Sequence, residues 1–262
     1  MKTKKHLLNS EDSPWGGIEV WQEGTVRYLY IQDKTAIQSQ LDMERKEKLL
    51  LQHSRAMMSF LLFQSNPKSI LLFGLGGGSI IHFLCHWFPE LKITVVDVNC
   101  KVLNIAKKYF DISETPQVSI QLADASIYIN QTKQKNLSAI LVDVHNGKCL
   151  PDFLYNQDFI EQCFRALSSE GMLVINVLVN NDQEFLNIMT ALRQCFTGIS
   201  LCMTLENQQN ILLFAFKSPV ELDMNKLSVK ADEYQRKYGI EFDQFISNII
   251  KVDAKRNIGI GK

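Results

Sequence analysis

The stretch Gly74-Leu75-Gly76-Gly77-Gly78-Ser79 decides the fold, because it joins an apolar segment to a segment with helical character. Glycines lack a Cβ atom, so the backbone amides of such a loop can approach a ligand closely. The N-terminus of the following helix adds unpaired N–H donors and a dipole that favours an anion. Packing turns and NAD-type proteins share this feature, but the absence of a following Lys-Ser or Lys-Thr pair excludes a P-loop. The loop therefore predicts a nucleotide-binding α/β domain.

Around this loop the sequence repeats a strand-then-helix rhythm, which predicts parallel strands joined by right-handed crossovers. The predicted strands are Ser69–Phe73, Lys92–Asp97, Val118–Leu122, Ala139–Asp143 and Met172–Leu178. Helices are predicted to start near Gly78, Lys101, Ala125, Gln157 and Asp182. Two later apolar runs, Ile199–Leu205 and Ile211–Phe216, predict a closing antiparallel hairpin. We expect a doubly wound, Rossmann-like sheet of the α/β class.

The flanking segments have other patterns. The polar residues 1–12 are predicted to be loose, and the alternation from Gly17 to about Gln40 predicts a small antiparallel β unit. Residues 43–64 carry apolar residues at helical spacing, and the tail from Pro219 carries amphipathic helical material. The predicted division is an N-terminal β unit (1–42), a Rossmann-like nucleoside-binding domain (43–218) and a C-terminal helical tail (219–262).

Composition limits the function classes. The 262 residues include 46% hydrophobic ones, and 28 basic residues balance 28 acidic ones. A formal charge of zero gives no general attraction to nucleic acid or an anionic membrane, so neither is predicted as a partner. The sequence contains no secretory signal and no apolar run of about 18 residues. Six cysteines without a CxxC pair indicate reduced thiols and a soluble, cytoplasmic protein.

Two aspartates follow neighbouring predicted strands. Asp97 closes the second strand roughly 20 residues after the glycines, where a carboxylate would meet ribose hydroxyls. Asp124 follows the third strand, at a position suited to accept the adenine amino group. Each could instead only cap the next helix, although capping explains two successive strand ends less well. The third-strand aspartate and the later hairpin fit a mononucleoside better than a dinucleotide.

With these residues in view, the sequence resembles the spermidine synthase family, the polyamine aminopropyltransferases built on the class I methyltransferase fold. The resemblance runs from about Ile37 to Phe216 and includes Val95-Val96-Asp97-Val98-Asn99, which stands at the family's ribose-binding acidic motif. Its best-matching stretches are Asn66–Gly78, Ile93–Phe110, Asp158–Asn176 and Asn210–Phe216.

The resemblance implies a set of roles. It places Asp97 at the ribose, Asp124 at adenine, Gln38 on the nucleotide side, and Gly74, Gly76 and Gly78 in the nucleotide loop. The implied co-substrate is S-adenosylmethionine or its decarboxylated form, without a metal, and the implied acceptor is a small molecule, a polyamine. It further implies a homodimer that pairs through the β unit.

The departures from the family bear on the chemistry. Gly77 stands where the family has an aspartate, and Asn146 stands at a second catalytic aspartate, while the first survives as Asp143. Decarboxylated S-adenosylmethionine ends in an ammonium group, and each missing carboxylate removes a charge-assisted hydrogen bond worth about 1.5–3 kcal/mol. Bare amides beside Ser79 suit the carboxylate of intact S-adenosylmethionine instead.

The candidate catalytic residues are Asp143, which would orient an amine or steady positive charge, and His145, which could act as a base near neutral pH. For each, a structural alternative stays open: a capping carboxylate and a solvent-facing loop histidine. Asp152 could supply the acidity that is lost at Asn146 if its loop folds back.

Two further groups have structural alternatives. His82, Cys85 and His86 share a helix face with zinc-ligand spacing, but packing of that helix explains them better, and no metal is predicted. Trp15, Trp21, Tyr28 and Tyr30 could frame an acceptor pocket, but a sheet face or subunit contact is the favoured interpretation.

Three functions remain open at this point. The first is aminopropyl transfer to a polyamine. The second is methyl transfer from S-adenosylmethionine, and the third is a catalytically silent nucleoside-binding module.

Overall fold

A computed structural model describes residues 4–32, 36–144, 150–178, 181–196, 200–206 and 208–251. The N-terminal unit is a four-stranded antiparallel sheet in the order β1-β2-β3-β4. Its strands are β1 (His6–Ser13), β2 (Gly16–Glu23), β3 (Val26–Ile31) and β4 (Ile37–Asp42). The small β unit is thereby confirmed, with one more strand than the alternation indicated.

The prediction that residues 1–12 are loose was wrong for β1. This strand pairs with β2 from His6 opposite Gln22 to Ser13 opposite Gly16. The polar composition of β1 is that of an edge strand, whose main chain is held by ladder hydrogen bonds while none of its side chains is fully buried. Hydropathy alone does not detect such a strand.

The helix predicted for residues 43–64 is much shorter in the structure. Helix α1 covers Gln52–Met57 and continues as a 3₁₀ turn over Met58–Leu62. Before it, the Asp42 carboxylate accepts hydrogen bonds from Glu44 N at 3.2 Å and from the Arg45 guanidinium at 3.2 Å. These local bonds favour a turn over a helix at residues 43–51.

The main sheet has eight strands in the order β12-β10-β11-β9-β8-β5-β6-β7. The strands are β5 (Ser69–Phe73), β6 (Lys92–Asp97), β7 (Val118–Leu122), β8 (Leu137–Val142), β9 (Leu167–Leu178), β10 (Ser200–Thr204), β11 (Asn210–Phe216) and β12 (Ile249–Lys251). Strands β5 to β9 pair in parallel, whereas β11 pairs antiparallel with β9 and β10, which confirms the closing hairpin. Strand β12, which pairs with β10, was not predicted.

Helices cover both faces of this sheet. They are α2 (Ser79–Trp87), α3 (Cys100–Tyr109), α4 (Ala125–Gln131), α5 (Gln157–Ala166), α6 (Asp182–Cys195), α7 (Met224–Tyr238) and α8 (Phe242–Ser247). Alternate residues of β5 enter two different cores: Ile70 and Leu72 pack with α2, α3, α7 and α8, and Leu71 and Phe73 pack with α4, α5 and α6. The doubly wound α/β class is confirmed.

The division into segments 1–42, 43–218 and 219–262 stays a prediction, although α7 and α8 share a core cluster with the N-terminal sheet. In the part of the chain that the structure describes, no helix has both the length and the apolar character to span a bilayer. The five described cysteines are free thiols.

Candidate nucleoside-binding site

The carboxyl ends of β5 and β8 form the switch point of the sheet. From β5 the chain continues to β6 on one side, whereas from β8 it continues to β9 on the other side. Crevices at such points are the usual ligand sites of open α/β sheets. Here Gly74 N donates to Val96 O at 2.9 Å, and Asp143 N donates to Phe73 O at 2.9 Å. Gly74 has a φ of +98°, and a Cβ atom there would lie 2.1 Å from the carbonyl oxygen of Asp143. Only glycine fits at this position.

The glycine loop then turns into α2. Gly76 and Gly78 also have positive φ angles, +51° and +72°, and a Cβ on Gly78 would lie 2.2 Å from Ile112 Cδ1. Gly78 is the N-cap of α2 and provides no side-chain cap. The first-turn N–H groups of α2 therefore face the loop without a competing side chain, which is the arrangement that favours an anionic ligand group.

Asp97 connects this loop to the end of β6. Its Oδ2 accepts from Leu75 N at 2.8 Å and its Oδ1 accepts from Asn99 N at 2.8 Å. Burial raises the pKa of the carboxyl group, although hydrogen bonds from Asn99, Leu75 and Val98 N–H groups act in the lowering direction. The cap of α3 is Asn99 rather than Asp97. Each carboxylate oxygen has a second lone pair, so Asp97 can still accept from ribose hydroxyls.

Asp124 is the N-cap of α4, so its structural alternative is present. Its Oδ1 accepts from Ser126 N at 2.8 Å, from Ile127 N at 3.1 Å and from the Ser126 hydroxyl. Within the described ranges Oδ2 has no hydrogen bond, which leaves it available to an exocyclic amine. The contact with adenine stays a prediction.

Exposed apolar side chains surround these two aspartates. Val98 is 46% exposed, and Leu122 and Ile127 are each 54% exposed. Leu122 pairs with Asp97 across β6 and β7. Val98 directly follows Asp97, and Ile127 lies three residues after Asp124 in the first turn of α4. Exposed apolar groups at the rim of a polar crevice are candidate contacts for a flat apolar ring. The sequence reasoning missed them, although their places beside Asp97 and Asp124 were a usable signal.

Strand β4 lies against the glycine loop. Leu29 pairs with Ser39 and Tyr30 with Ile37, so Gln38 is the extra residue of a bulge next to the loop. A Cβ on Gly77 would lie 2.8 Å from Ser39 Oγ and 3.0 Å from Phe110 Cδ1. Ser39 and Phe110 therefore fill the space that a side chain at position 77 would need, which gives the departure at Gly77 a structural basis. The nucleotide-side role of Gln38 stays a prediction.

Asp143 immediately follows β8 on the other side of the switch point. Its Oδ1 accepts from Asn176 Nδ2 at 2.8 Å, and Asn176 Oδ1 accepts from Asn210 Nδ2 at 2.9 Å. Neither asparagine was singled out from the sequence, because each lies within or at the start of an apolar strand. The structure thus joins Asp143 to two side-chain amides from β9 and β11.

The remaining acceptor-side candidates are less defined. His145 and Asn146 lie outside the described residues, so the role of His145 stays a prediction. Asp152 is exposed on a 3₁₀ turn (Asp152–Tyr155) and lines a cavity of about 330 Å³ together with Tyr155, Glu184 and two further residues. Its proposed replacement of the acid that is lost at Asn146 is not tested by this geometry.

The histidines of α2 have structural partners. His82 Nε2 lies 2.8 Å from Phe110 O, and burial lowers the pKa of His82. The His86 ring packs edge-on against Trp87, with 4.8 Å between ring centroids. Among the residues that the structure describes, no group of three or more histidine, cysteine or acidic side chains is arranged to hold a metal ion.

The aromatic residues of the N-terminal unit lie on a sheet face. Ile18, Val20 and Leu29 point into the core, so the alternation puts Trp21, Tyr28 and Tyr30 on the opposite face. The Lys5 ammonium lies 4.3 Å from the Tyr28 ring centroid and 4.7 Å from that of Tyr30. Trp15 lies in the turn before β2. An acceptor-binding role for these residues stays untested.

Comparison with known proteins agrees with this architecture. The family model described as the spermine/spermidine synthase domain matches residues 50–224. A polyamine aminopropyltransferase of Chromobacterium violaceum is 34% identical over 234 residues, which cover 88% of each chain.

Two solved structures share the fold. A probable spermidine synthase from Corynebacterium glutamicum superposes with a TM-score of 0.75 at 18% identity, covering 87% of this chain and 86% of that one. Human methyltransferase-like protein 13 in complex with SAH gives a TM-score of 0.62 at 21% identity, covering 79% and 97%. The family match and the identity to the curated relative decide the assignment: the chain belongs to the spermine/spermidine synthase family, a family of transferases.

Proposed function

We propose that this protein transfers an aminopropyl group from decarboxylated S-adenosylmethionine to an amine of a polyamine acceptor. The observation that carries the proposal is Asp143, a carboxylate braced by a side-chain amide at the switch point of the sheet. Relatives named polyamine aminopropyltransferases support the same reaction. The proposal rests on Asp143 together with these relatives, because the same fold serves several kinds of reaction.

The nucleoside half of the crevice would hold the adenosyl group of the donor. Gly74, Gly76 and Gly78 keep the loop free of side chains, so that the main chain can approach the ligand. Asp97 would accept from the ribose hydroxyls, and Asp124 Oδ2 would accept from the adenine amino group. Together these contacts would fix the sulfonium near the ends of β5 and β8.

The reaction itself is a displacement. The lone pair of the acceptor amine attacks the aminopropyl carbon next to the sulfonium, the carbon–sulfur bond breaks, and its electron pair leaves with the thioether nucleoside. The attacking nitrogen loses a proton to a base. Asp143 would accept a hydrogen bond from that nitrogen and steady its positive charge, with His145 as the proposed base. A polycationic acceptor gains charge-assisted hydrogen bonds from such carboxylates.

Methyl transfer from intact S-adenosylmethionine is the second candidate, and Gly77 favours it. Ser39 and Phe110 occupy the space around position 77, so no carboxylate is available there to bind the ammonium of a decarboxylated donor. Bare N–H groups at the start of α2 suit a donor carboxylate.

Incubation of the protein with each donor and 1,4-diaminobutane, followed by chromatography and mass spectrometry, distinguishes these candidates. Spermidine and methylthioadenosine from the decarboxylated donor are expected. Methylated amine and S-adenosylhomocysteine from the intact donor would replace the proposal by the second candidate. Calorimetric binding of a donor without any product would indicate a silent nucleoside-binding module.

The proposal includes two further expectations. We expect the reaction to occur in the cytoplasm, in keeping with the free thiols. We also expect two copies of the chain to pair through the N-terminal sheet, which sedimentation equilibrium tests: a monomer at micromolar concentration would remove this part.

A further inference from the structure

Asn176 is the most deeply buried polar side chain near the crevice. It lies in β9 with no exposed surface, between Ile175 and Val177, which are equally buried. A side-chain amide in such surroundings is stable only if its polar atoms are hydrogen-bonded, since an unbonded polar atom would have lost its water without a replacement. Asn176 meets this condition through Asp143 on one side and Asn210 on the other.

Strand order places these three side chains in a row. Strand β9 lies between β8 and β11, and the pairs Val142–Ile175 and Asn210–Leu178 bring the carboxyl end of β8 and the start of β11 beside Asn176. The row therefore runs across three neighbouring interior strands, at the end of the sheet where β8 and β9 have their carboxyl ends. It begins at the crevice with Asp143 and ends at Asn210, a half-buried residue away from the nucleotide loop.

The direction of the amide in this row is determined by its neighbours. A carboxylate only accepts hydrogen bonds, so Asn176 has to turn its nitrogen toward Asp143. The Asn176 oxygen then faces Asn210, which donates to it through Nδ2 at 2.9 Å. Asn210 thus supplies a donor at the one place where the required orientation of Asn176 needs it.

We propose that Asn176, oriented by Asn210, is a positioning residue that fixes the Asp143 carboxylate for the attacking amine. This inference rests on the proposed function, because it assigns Asp143 to the acceptor. Asn210 contributes no atom to the reaction and acts through Asn176. Small errors in such a geometry are costly, since a misplacement of about 1 Å can slow a reaction about 100-fold.

Asn210→Asp is the sharpest test, because it reverses the hydrogen bonding without changing the size of the side chain. A carboxylate at position 210 cannot donate to the Asn176 oxygen and competes with Asp143 for the Asn176 nitrogen, so the amide no longer holds the Asp143 carboxylate in one place. We expect kcat to fall about 10-fold, which corresponds to about 1.4 kcal/mol of barrier, with the donor Kd unchanged. Asn210→Ala removes the donor but leaves Asn176 free to bond Asp143, so a loss of only about 2–3-fold is expected.

Which of the two variants loses more kcat distinguishes a positioning role of Asn210 from a merely structural one. If Asn210 only stabilised the fold, Asn210→Ala would lose at least as much activity as Asn210→Asp, in step with its lower melting temperature, and the proposal would be overturned. Gln208→Glu adds the same charge on an exposed turn two residues earlier and should leave kcat at the wild-type value.

A crystal structure of Asn210→Asp tests the row independently of turnover. The expected result is an Asn176 side chain drawn toward the new carboxylate, with loss of the hydrogen bond between Asp143 Oδ1 and Asn176 Nδ2. Retention of that bond overturns the inference even if the wild-type enzyme is active. Conversely, an inactive wild type with either donor refutes the proposed function, while the structural result still decides whether Asn210 orients Asn176.

Discussion

On the β6–β7 side of the crevice, the carboxylates of Asp97 and Asp124 are fastened mainly by main-chain N–H groups, whereas on the β8–β9 side Asp143 is fastened by a side-chain amide. Main-chain donors persist when most residues of a loop are replaced. The amides that orient Asp143 exist only if two distant residues, Asn176 and Asn210, keep their identity. The nucleoside half is therefore the more robust half, and the acceptor half is where substitutions can change the chemistry.

Gly74→Ala should have the largest effect, because it disrupts both halves at their junction. The new Cβ would lie 2.1 Å from the Asp143 carbonyl oxygen at a φ of +98°. We expect the free energy of unfolding in urea to fall by about 3 kcal/mol or more, from the sum of overpacking and backbone strain, with loss of donor binding and turnover.

Two other glycines separate these causes. Gly239 has a φ of +68°, but a Cβ added there would meet no atom within 4 Å, so Gly239→Ala should cost only about 1–2 kcal/mol. Gly17 has an ordinary φ and a nearest neighbour at 3.9 Å, so Gly17→Ala should be close to neutral. Equal losses for positions 74 and 239 would show that the ends of β5 and β8 are not in close contact.

Asp143→Asn should break the acceptor half alone. The neutral amide keeps its oxygen on Asn176 Nδ2 and presents an N–H donor, in place of a carboxylate oxygen, to the attacking amine. We expect kcat to fall about 100-fold, a size typical for loss of a group that stabilises charge in the transition state, with the donor Kd within about twofold of wild type. Steady-state kinetics and calorimetry measure the two quantities. Asp158→Asn, on the exposed start of α5, is the control and should leave both unchanged. Unchanged turnover in Asp143→Asn would remove this residue from the site.

Asp97→Asn should break the nucleoside half alone. The variant loses a carboxylate that bonds the glycine loop and is proposed to accept from ribose, so the donor Kd should rise about 10–100-fold. At saturating donor, kcat should change little. A variant that loses kcat but binds the donor normally would contradict the division into two halves.

The pH dependence sharpens this prediction. Burial holds the pKa of Asp97 above 3.8. As the pH is lowered, Asp97 should therefore take up its proton, and donor binding should weaken, at a higher pH than if Asp97 had the pKa of an ordinary aspartate. Asp97→Asn should lack this pH dependence. For a carboxyl group whose pKa is raised in the folded state, the contribution to stability is fully present below 3.8 and is lost as the pH rises through the folded-state pKa. The free energy of unfolding of the wild type, relative to that of Asp97→Asn, should therefore fall as the pH rises from 3.8 through the folded-state pKa of Asp97.

Asp124→Asn should have the smallest effect. Asparagine caps a helix about as well as aspartate, so the melting temperature should stay within about 2 °C of wild type. The donor Kd should rise only a few-fold, because a neutral oxygen replaces a charged one toward adenine. Asp124→Ala, which loses the cap of α4 as well, should cost about 1 kcal/mol in urea unfolding. A donor Kd that is equal in all three proteins would leave Asp124 with capping alone.

The nucleoside half was largely predictable from the sequence. The bounds of β5, β6 and β7 agree with the predicted strands, and Asp97 and Asp124 stand at the predicted strand ends. These features depend on short stretches of apolar residues and on loop glycines. Strands β1 and β12 were missed, because polar or very short edge strands carry little periodic signal.

The acceptor half was predictable only in part. Asp143 stood out at a strand end, but Asn176 is surrounded in sequence by apolar residues, and Asn210 closes a polar turn. Their hydrogen bonds join residues 33 and 34 positions apart in the chain. The closeness of Ser39 and Phe110 to Gly77 is likewise a contact between distant segments.

The sequence by itself determined the alternation of strands and helices, the glycine loop and the carboxylates at the ends of the strands, because each depends on residues within one or two turns of each other. The tertiary structure decided what those carboxylates contact. Strand order and register alone bring β9 between β8 and β11, and only the fold packs β4 onto Gly77. Such contacts between distant segments leave no local pattern in the chain.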